Sequence, residues 1–204
     1  MVIQAIRSIV FYILFVLITL VLALVVTLGA LIPPWSNRIA QNIAKTWTHV
    51  VKFVLWLIVG IRTEVSGLEN IPKGACIIAS KHQSDLDTIT LYPILDHPAF
   101  VAKKELFKIP LLGTTLRLME IIAIERSSRG GALKQMISQG KENIAKGRRI
   151  FIFPEGTRKA PLAPRNYKFG VAKLYEALEV PVVPVALNSG LYWGRNSLIL
   201  WPGT

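Results

Sequence analysis

The chain has 204 residues, with 24 Lys and Arg against 12 Asp and Glu, a formal net charge of +12. That length suits one domain with an appendage and a sizeable core, but a hydrophobic content of 52% excludes an ordinary soluble domain. The single cysteine, Cys76, excludes an internal disulfide framework and fits a reducing compartment.

The apolar excess is concentrated at the start. No charged residue occurs from Ser8 to Asn37, and residues 9–32 are 24 positions of nearly pure aliphatic and aromatic character. As a helix this run is about 36 Å long, enough for a hydrocarbon core of about 30 Å with some tilt. A signal peptide is the competing reading, but its apolar region runs only roughly 7–15 residues. Pro33 and Pro34 break the chain next. The following apolar stretch, 49–61, carries Lys52 and is framed by Trp47 and Trp56. It reads as a half-inserted or interfacial helix, with a core helix as the alternative. The two segments form a helical hairpin anchor over residues 1–61. Arg38, Lys45, Lys52 and Arg62 follow the long segment, against Arg7 alone before it, which puts the rest of the chain on the cytoplasmic side.

Beyond the anchor, short apolar runs alternate with helical patterns. The runs at 75–80, 99–103, 121–125, 149–153 and 180–187 are bounded by turn residues and too short for helices, so they read as buried strands. Helical patterns occupy 84–95, 110–119, 131–147 and 170–179. Cys76, inside the first run, reads as a small core residue. This alternation predicts an α/β domain over 62–204, a mixed, mostly parallel sheet covered by helices. Residues 101–173 hold sixteen Lys and Arg against five Glu and no Asp. Such a block suits phosphate groups on nucleic acid, on a membrane surface or on a substrate. Beside a membrane anchor, lipid is favoured. No zinc-finger spacing, helix-turn-helix or aromatic–basic interleaving points to nucleic acid.

Two polar clusters fall where strands meet the next helix, the usual place for ligand sites in such sheets. The first is HQSDLD, residues 82–87. Ser84 and Asp87 have the spacing of a capping box, which accounts for both without function. It does not account for His82. With His82 in the loop and Asp87 in the first helical turn, the carboxylate reaches one ring nitrogen and leaves the other as a base. The second is FPEGTR, residues 153–158, which offers a carboxylate, a glycine, a hydroxyl and a guanidinium at one edge. Arg158 there is suited to gripping a phosphate, although the hexamer is also good turn chemistry. No G-x-S-x-G, H-E-x-x-H, P-loop or G-x-G-x-x-G occurs, and histidines stand only at 49, 82 and 97, so neither a serine hydrolase nor a catalytic metal is expected. A histidine base without a protein nucleophile must activate one on the substrate, such as a hydroxyl.

His82 with Asp87 matches an H-x-x-x-x-D motif, FPEGTR an E-G-T-R motif about 70 residues later, and VPVVPV at 180–185 a V-P-V-x-P-V strand. In this the chain resembles the glycerolipid acyltransferases, and with its anchor, short length and basic domain it is most similar to the bacterial 1-acyl-sn-glycerol-3-phosphate acyltransferases. One motif departs: the family's G-x-x-F-I-x-R reads EIIAIER at 120–126, with Glu120 for glycine and Ala123 for phenylalanine. The resemblance implies transfer of an acyl group from acyl-CoA or acyl carrier protein to the sn-2 hydroxyl of lysophosphatidic acid, giving phosphatidic acid. The setting it implies is membrane lipid at the cytoplasmic face of a bacterial inner membrane, with no cofactor and no nucleic acid. It assigns His82 as general base and Asp87 as its orienting partner. Lys103, Arg126 and Arg158 are assigned to the phosphate, Glu155 and Thr157 to the glycerol, and backbone N–H groups near Gly156 to the oxyanion. Acylation of glycerol 3-phosphate or another lysolipid, or plain anionic-lipid binding without catalysis, are the rival readings. The family usually continues past the WPGT turn with another strand, so residues 201–204 read as a truncated edge.

Overall fold

The computed structural model describes residues 1–32, 34–125 and 130–204. Pro33 and Arg126 lie outside them. Helix α1 runs Val2–Gly29 and α2 runs Asn37–Val59, so the chain does break around the proline pair. Ser36 caps α2 by accepting the Ile39 N–H, and Gly60 closes it at φ 87° in the left-handed conformation glycine tolerates.

The sheet contains β1 (Ile77–Ser80), β2 (Ala99–Lys103), β3 (Ile122–Ile124), β4 (Ile150–Ile152) and β5 (Val182–Val185), each inside one of the expected apolar runs. Their order is β3-β2-β4-β1-β5, and every pairing between them is parallel, so the expected parallel character is complete among the described residues. The connecting helices are α3 (Leu86–Ile94), α4 (Leu112–Leu118), α5 (Gly131–Ala145) and α6 (Gly170–Leu178).

Alternation along the strands divides the core between the two faces of the sheet. Ile78, Phe100 and Phe151 pack with Ala44 of α2 and with Leu91 and Tyr92 of α3. Ile77, Ile150 and Ile152 pack with Met136 of α5 and Leu174 of α6. A third cluster joins Phe11 of α1, Val51, Leu55 and Val59 of α2, Leu86 of α3, and Trp193 and Leu200 from the chain's last segment. The 49–61 stretch therefore has a buried core face, and its other face leaves Phe53, Trp56 and Leu57 exposed. The core-helix reading accounts for the buried side of that segment.

Helix α1 alone is long and apolar enough to cross a membrane among the described residues. It also lies along the domain. Gln4 donates to the Leu200 carbonyl at 2.6 Å, Ser8 accepts the Leu200 N–H at 2.9 Å, and Tyr12 donates to the Ser197 carbonyl at 2.7 Å. Farther on, Trp47 of α2 donates its indole N–H to Thr19 at 3.0 Å.

Candidate active site

Strands β4, β1 and β5 are adjacent and parallel, so the loops leaving their C-terminal ends converge. The loop from β1 carries Lys81–Asp85, that from β4 carries Phe153–Arg158, and that from β5 carries Asn188–Leu191.

His82 is fastened by its backbone before its side chain acts. Its N–H donates to Glu155 Oε2 at 2.9 Å, and its carbonyl accepts the Lys159 N–H at 2.7 Å. The ring lies flat on Phe153, centroids 3.7 Å apart and planes 14° from parallel. Its Nδ1 is 3.0 Å from Asp87 Oδ2. The Asp87 carboxylate is fully buried and also accepts the N–H groups of Gln83 at 2.8 Å and Ser84 at 3.0 Å, and the hydroxyl of Ser189. An ionised carboxylate only accepts hydrogen bonds. It therefore takes a proton-bearing Nδ1 and leaves Nε2 with the lone pair. The capping-box reading of Ser84 is realised in altered form. Asp87 reaches back to the Ser84 N–H, but Ser84 Oγ accepts from Leu86 N at 3.1 Å, and Asp85 occupies the cap position.

The FPEGTR loop closes the other side. Gly156 adopts φ +66°, which makes the turn, and its N–H donates to the Phe153 carbonyl at 2.9 Å. That N–H serves the turn, so it does not stand ready for an oxyanion. Glu155 is 2% exposed, with Oε1 3.3 Å from Lys81 Nζ. Through these contacts it ties the two loops together. Thr157 is exposed, and Arg158 is partly so, with Nη1 2.5 Å from Asp85 Oδ2. Lys103 is exposed at the end of β2. Arg126, the third expected phosphate ligand, falls outside the described residues.

An apolar cavity of about 340 Å³ begins at Phe153 and runs between α1, α2, α3 and α4, past Val26, Trp47, Tyr92, Leu116 and Met119. The imidazole thus stands between a basic loop and an apolar chamber, separated from the chamber by one aromatic ring. A more open groove of about 420 Å³, bordered by Lys52, Trp56, Arg62 and Glu64, shares no residue with this site.

The acyltransferase family model matches residues 62–188. The chain belongs to the acyltransferase family. It is 38% identical to a Pseudomonas aeruginosa protein named 1-acyl-sn-glycerol-3-phosphate acyltransferase, over 99% of this chain and 78% of that protein. It is 34% identical to a Saccharomyces cerevisiae protein of the same name, over 76% of this chain and 51% of the yeast one. The crystal structure of a Thermotoga maritima 1-acyl-sn-glycerophosphate acyltransferase shares the fold, with a TM-score of 0.76 at 24% identity, over 98% of this chain and 82% of that one.

Within this acyltransferase the sequence reading brought His82, Asp87, Glu155, Gly156 and Arg158 to one place, and the structure puts them there. It missed Phe153, Asp85 and Ser189. Phe153 and Asp85 stand inside the two quoted motifs, where Phe153 reads as the end of an apolar run and Asp85 carries no signal of its own. Ser189 follows β5, next to β1 in the sheet, and only the strand order makes it a neighbour of Asp87.

Proposed function

We propose that this acyltransferase moves a fatty acyl group from a thioester donor, acyl-CoA or acyl carrier protein, to the sn-2 hydroxyl of 1-acyl-sn-glycerol-3-phosphate, forming phosphatidic acid. The observation that carries this reading is the oriented imidazole of His82, set between the Arg158 loop and the apolar cavity. The names of the relatives support this acceptor over glycerol 3-phosphate.

Asp87 holds the Nδ1 proton, so Nε2 takes the proton of the acceptor hydroxyl. The oxygen attacks the thioester carbonyl carbon. The tetrahedral intermediate collapses, the C–S bond breaks, and the thiolate takes a proton from the imidazolium to leave as a free thiol. No acyl-enzyme is needed. Arg158 supplies a planar guanidinium for the acceptor phosphate, which must displace Asp85 to engage it. Lys103 and Thr157 are exposed, and Lys103 and Arg126 are assigned to the same phosphate. The apolar cavity is of ordinary ligand-pocket size and suits an acyl chain.

The outer face of α1 exposes Ile6, Ile13, Leu17, Leu20, Leu24 and Leu28, and α2 exposes Phe53 and Leu57. A patch of this kind marks a membrane contact. Because the domain packs along α1, the helix is seated in the near leaflet beside the site, with the basic domain on the cytoplasmic side.

The test is thiol release by purified enzyme in lipid nanodiscs, with lysophosphatidic acid, glycerol 3-phosphate and lysophosphatidylcholine as acceptors. Release with lysophosphatidic acid alone is expected, and His82→Ala is expected to lower kcat by about 10²–10⁴. Equal turnover with all three, or a His82→Ala enzyme keeping more than roughly a tenth of kcat, would overturn the assignment.

A further inference from the structure

Asp87 has two carboxylate oxygens, and only one faces His82. Oδ2 serves Nδ1 of His82 and the N–H groups of Gln83 and Ser84. Oδ1 receives the hydroxyl of Ser189, from a residue 102 positions later. Neither the motifs nor the family resemblance assigns Ser189 a part.

The segment that delivers Ser189 is held on several sides. It forms a single 3-10 turn, Ser189–Leu191, whose Ser189 carbonyl accepts the N–H groups of Tyr192 at 3.1 Å and Trp193 at 2.9 Å. Gly190 donates its N–H to Gln83 Oε1 at 3.1 Å. A Cβ there would come within 2.9 Å of Gln83 Cβ and 3.1 Å of Pro161 Cδ, so only glycine lets the turn press this closely on the histidine loop. Trp193 anchors the turn from below, edge-on to Phe11 with ring centroids 5.4 Å apart. Ser189 is 9% exposed, and its hydroxyl is bonded to Asp87 rather than to the imidazole, so it is placed to orient and not to attack.

We propose that Ser189 is a positioning residue for the His82–Asp87 pair. A carboxylate turns about a broad, two-fold torsion. The Ser189 hydroxyl, donating to Oδ1, fixes that torsion with Oδ2 toward His82. It also draws charge from the carboxylate, so the imidazolium is less stabilised than it would be beside an unshared anion. Loss of the hydroxyl therefore changes the field the imidazolium meets, frees the carboxylate to turn and lets the ring wander from the attacking hydroxyl. The other charged groups around the pair are Lys81 and Asp85 on the histidine loop, and Glu155, Arg158 and Lys159 after β4. Arg195, after β5, donates to the Arg158 carbonyl, and α1 contributes Tyr12. All are untouched by a change at Ser189.

The kinetic half of this inference rests on the reading of His82 as the base; the titration half does not. The full chain, labelled with ¹⁵N-histidine in nanodiscs, is titrated by NMR, with the His82 signal assigned from His82→Gln. Ser189→Ala is expected to change the pH dependence of the His82 ring signals. It is expected to lower kcat by about tenfold with acceptor KM changed less than about twofold, and Ser189→Thr to restore both. Ser189→Cys, a weaker donor in nearly the same volume, is expected between wild type and alanine, and decides the matter if alanine does not fold. An alanine or cysteine protein that titrates and turns over as wild type does would overturn the proposal. A changed titration with unchanged kcat would uphold Ser189 as partner of Asp87 while counting against His82 as base.

Discussion

Asp85 and Arg158 neutralise each other at the mouth of the site, 2.5 Å apart with Asp85 half exposed. A pair this open contributes about 0–1 kcal/mol, whereas a guanidinium–phosphate contact is charge-assisted and bidentate. On the proposed reading a phosphate displaces Asp85, and the displacement lowers apparent affinity by up to about fivefold, the equivalent of 1 kcal/mol. Asp85 makes no side-chain cap bond to α3, so Asp85→Asn costs the helix little and frees Arg158. Acceptor KM is expected to fall by that factor with kcat unchanged. Arg158→Ala is expected to raise it by about tenfold or more, with donor KM constant. Steady-state kinetics with each substrate varied in turn checks both, and an acceptor KM indifferent to Arg158 would remove it from the phosphate site. His82 and Asp87 were legible because they stand five residues apart in one loop, within reach of a local rule. Glu155 was legible only as a carboxylate at the right edge. Its direction, toward the His82 backbone N–H and not toward solvent, depends on β4 lying beside β1, which no local pattern states.

At the scale of elements, the departure at the turn between α4 and β3 has a physical compensation. Glu120 stands where the resembled motif has glycine and adopts φ +54°, a conformation that costs a side-chain-bearing residue about 1 kcal/mol. Its carboxylate is 2.6 Å from Lys146 Nζ and 3.1 Å from Arg148 Nη1, which fastens the turn to the end of α5 and the start of β4. Burial works to raise the Glu120 pKa, but Lys146 and Arg148 together outweigh it and leave it below the ordinary value of 4.5. The folded value being depressed, this stabilisation is present above 4.5 and is lost as pH falls through the lower folded value. Glu120→Ala keeps the strain and loses both partners, whereas Glu120→Gly loses the partners but relieves the strain. In denaturant melts at neutral pH, alanine is expected to be about 1 kcal/mol less stable than glycine. The deficit of either variant against wild type is expected to shrink below about pH 4. An alanine variant equal to glycine would mean that the turn relaxes and holds no strain. The five strands were readable because buried parallel strands are short apolar runs. The first half of α2 was not, since its buried face is made of Ala40, Ala44 and Thr48, residues too small or too polar to register as a stripe.

For the molecule as a whole, the long apolar helix has two faces with separate duties. Its inner face is structural: Phe11 is fully buried against Trp193, in the same cluster as Leu86, which directly precedes Asp87. Val26, on the same helix, lines the apolar cavity. Its outer face leaves Leu17, Leu20 and Leu24 about half exposed. Composition cannot separate these faces, because both are aliphatic; Gln4 and Ser8, buried against Leu200, are the polar residues that mark the inner one. Phe11→Ala empties a closed aromatic cluster, and core Phe→Ala changes cost about 3–5 kcal/mol, a large part of a domain's usual 5–15 kcal/mol. It is expected to lower Tm and activity together, toward short-chain soluble acceptors as well as membrane-bound ones, while the protein still partitions with lipid. Replacing Leu17, Leu20 and Leu24 together by Gln is expected to do the reverse. Melting in detergent stays near wild type and a soluble acceptor is still acylated, but flotation with vesicles and turnover of membrane-embedded acceptor both fall. Flotation and thermal melts of the two variants side by side separate the duties. If the triple variant unfolds as readily as Phe11→Ala, the outer face packs on protein and the near-leaflet seating of α1 is wrong.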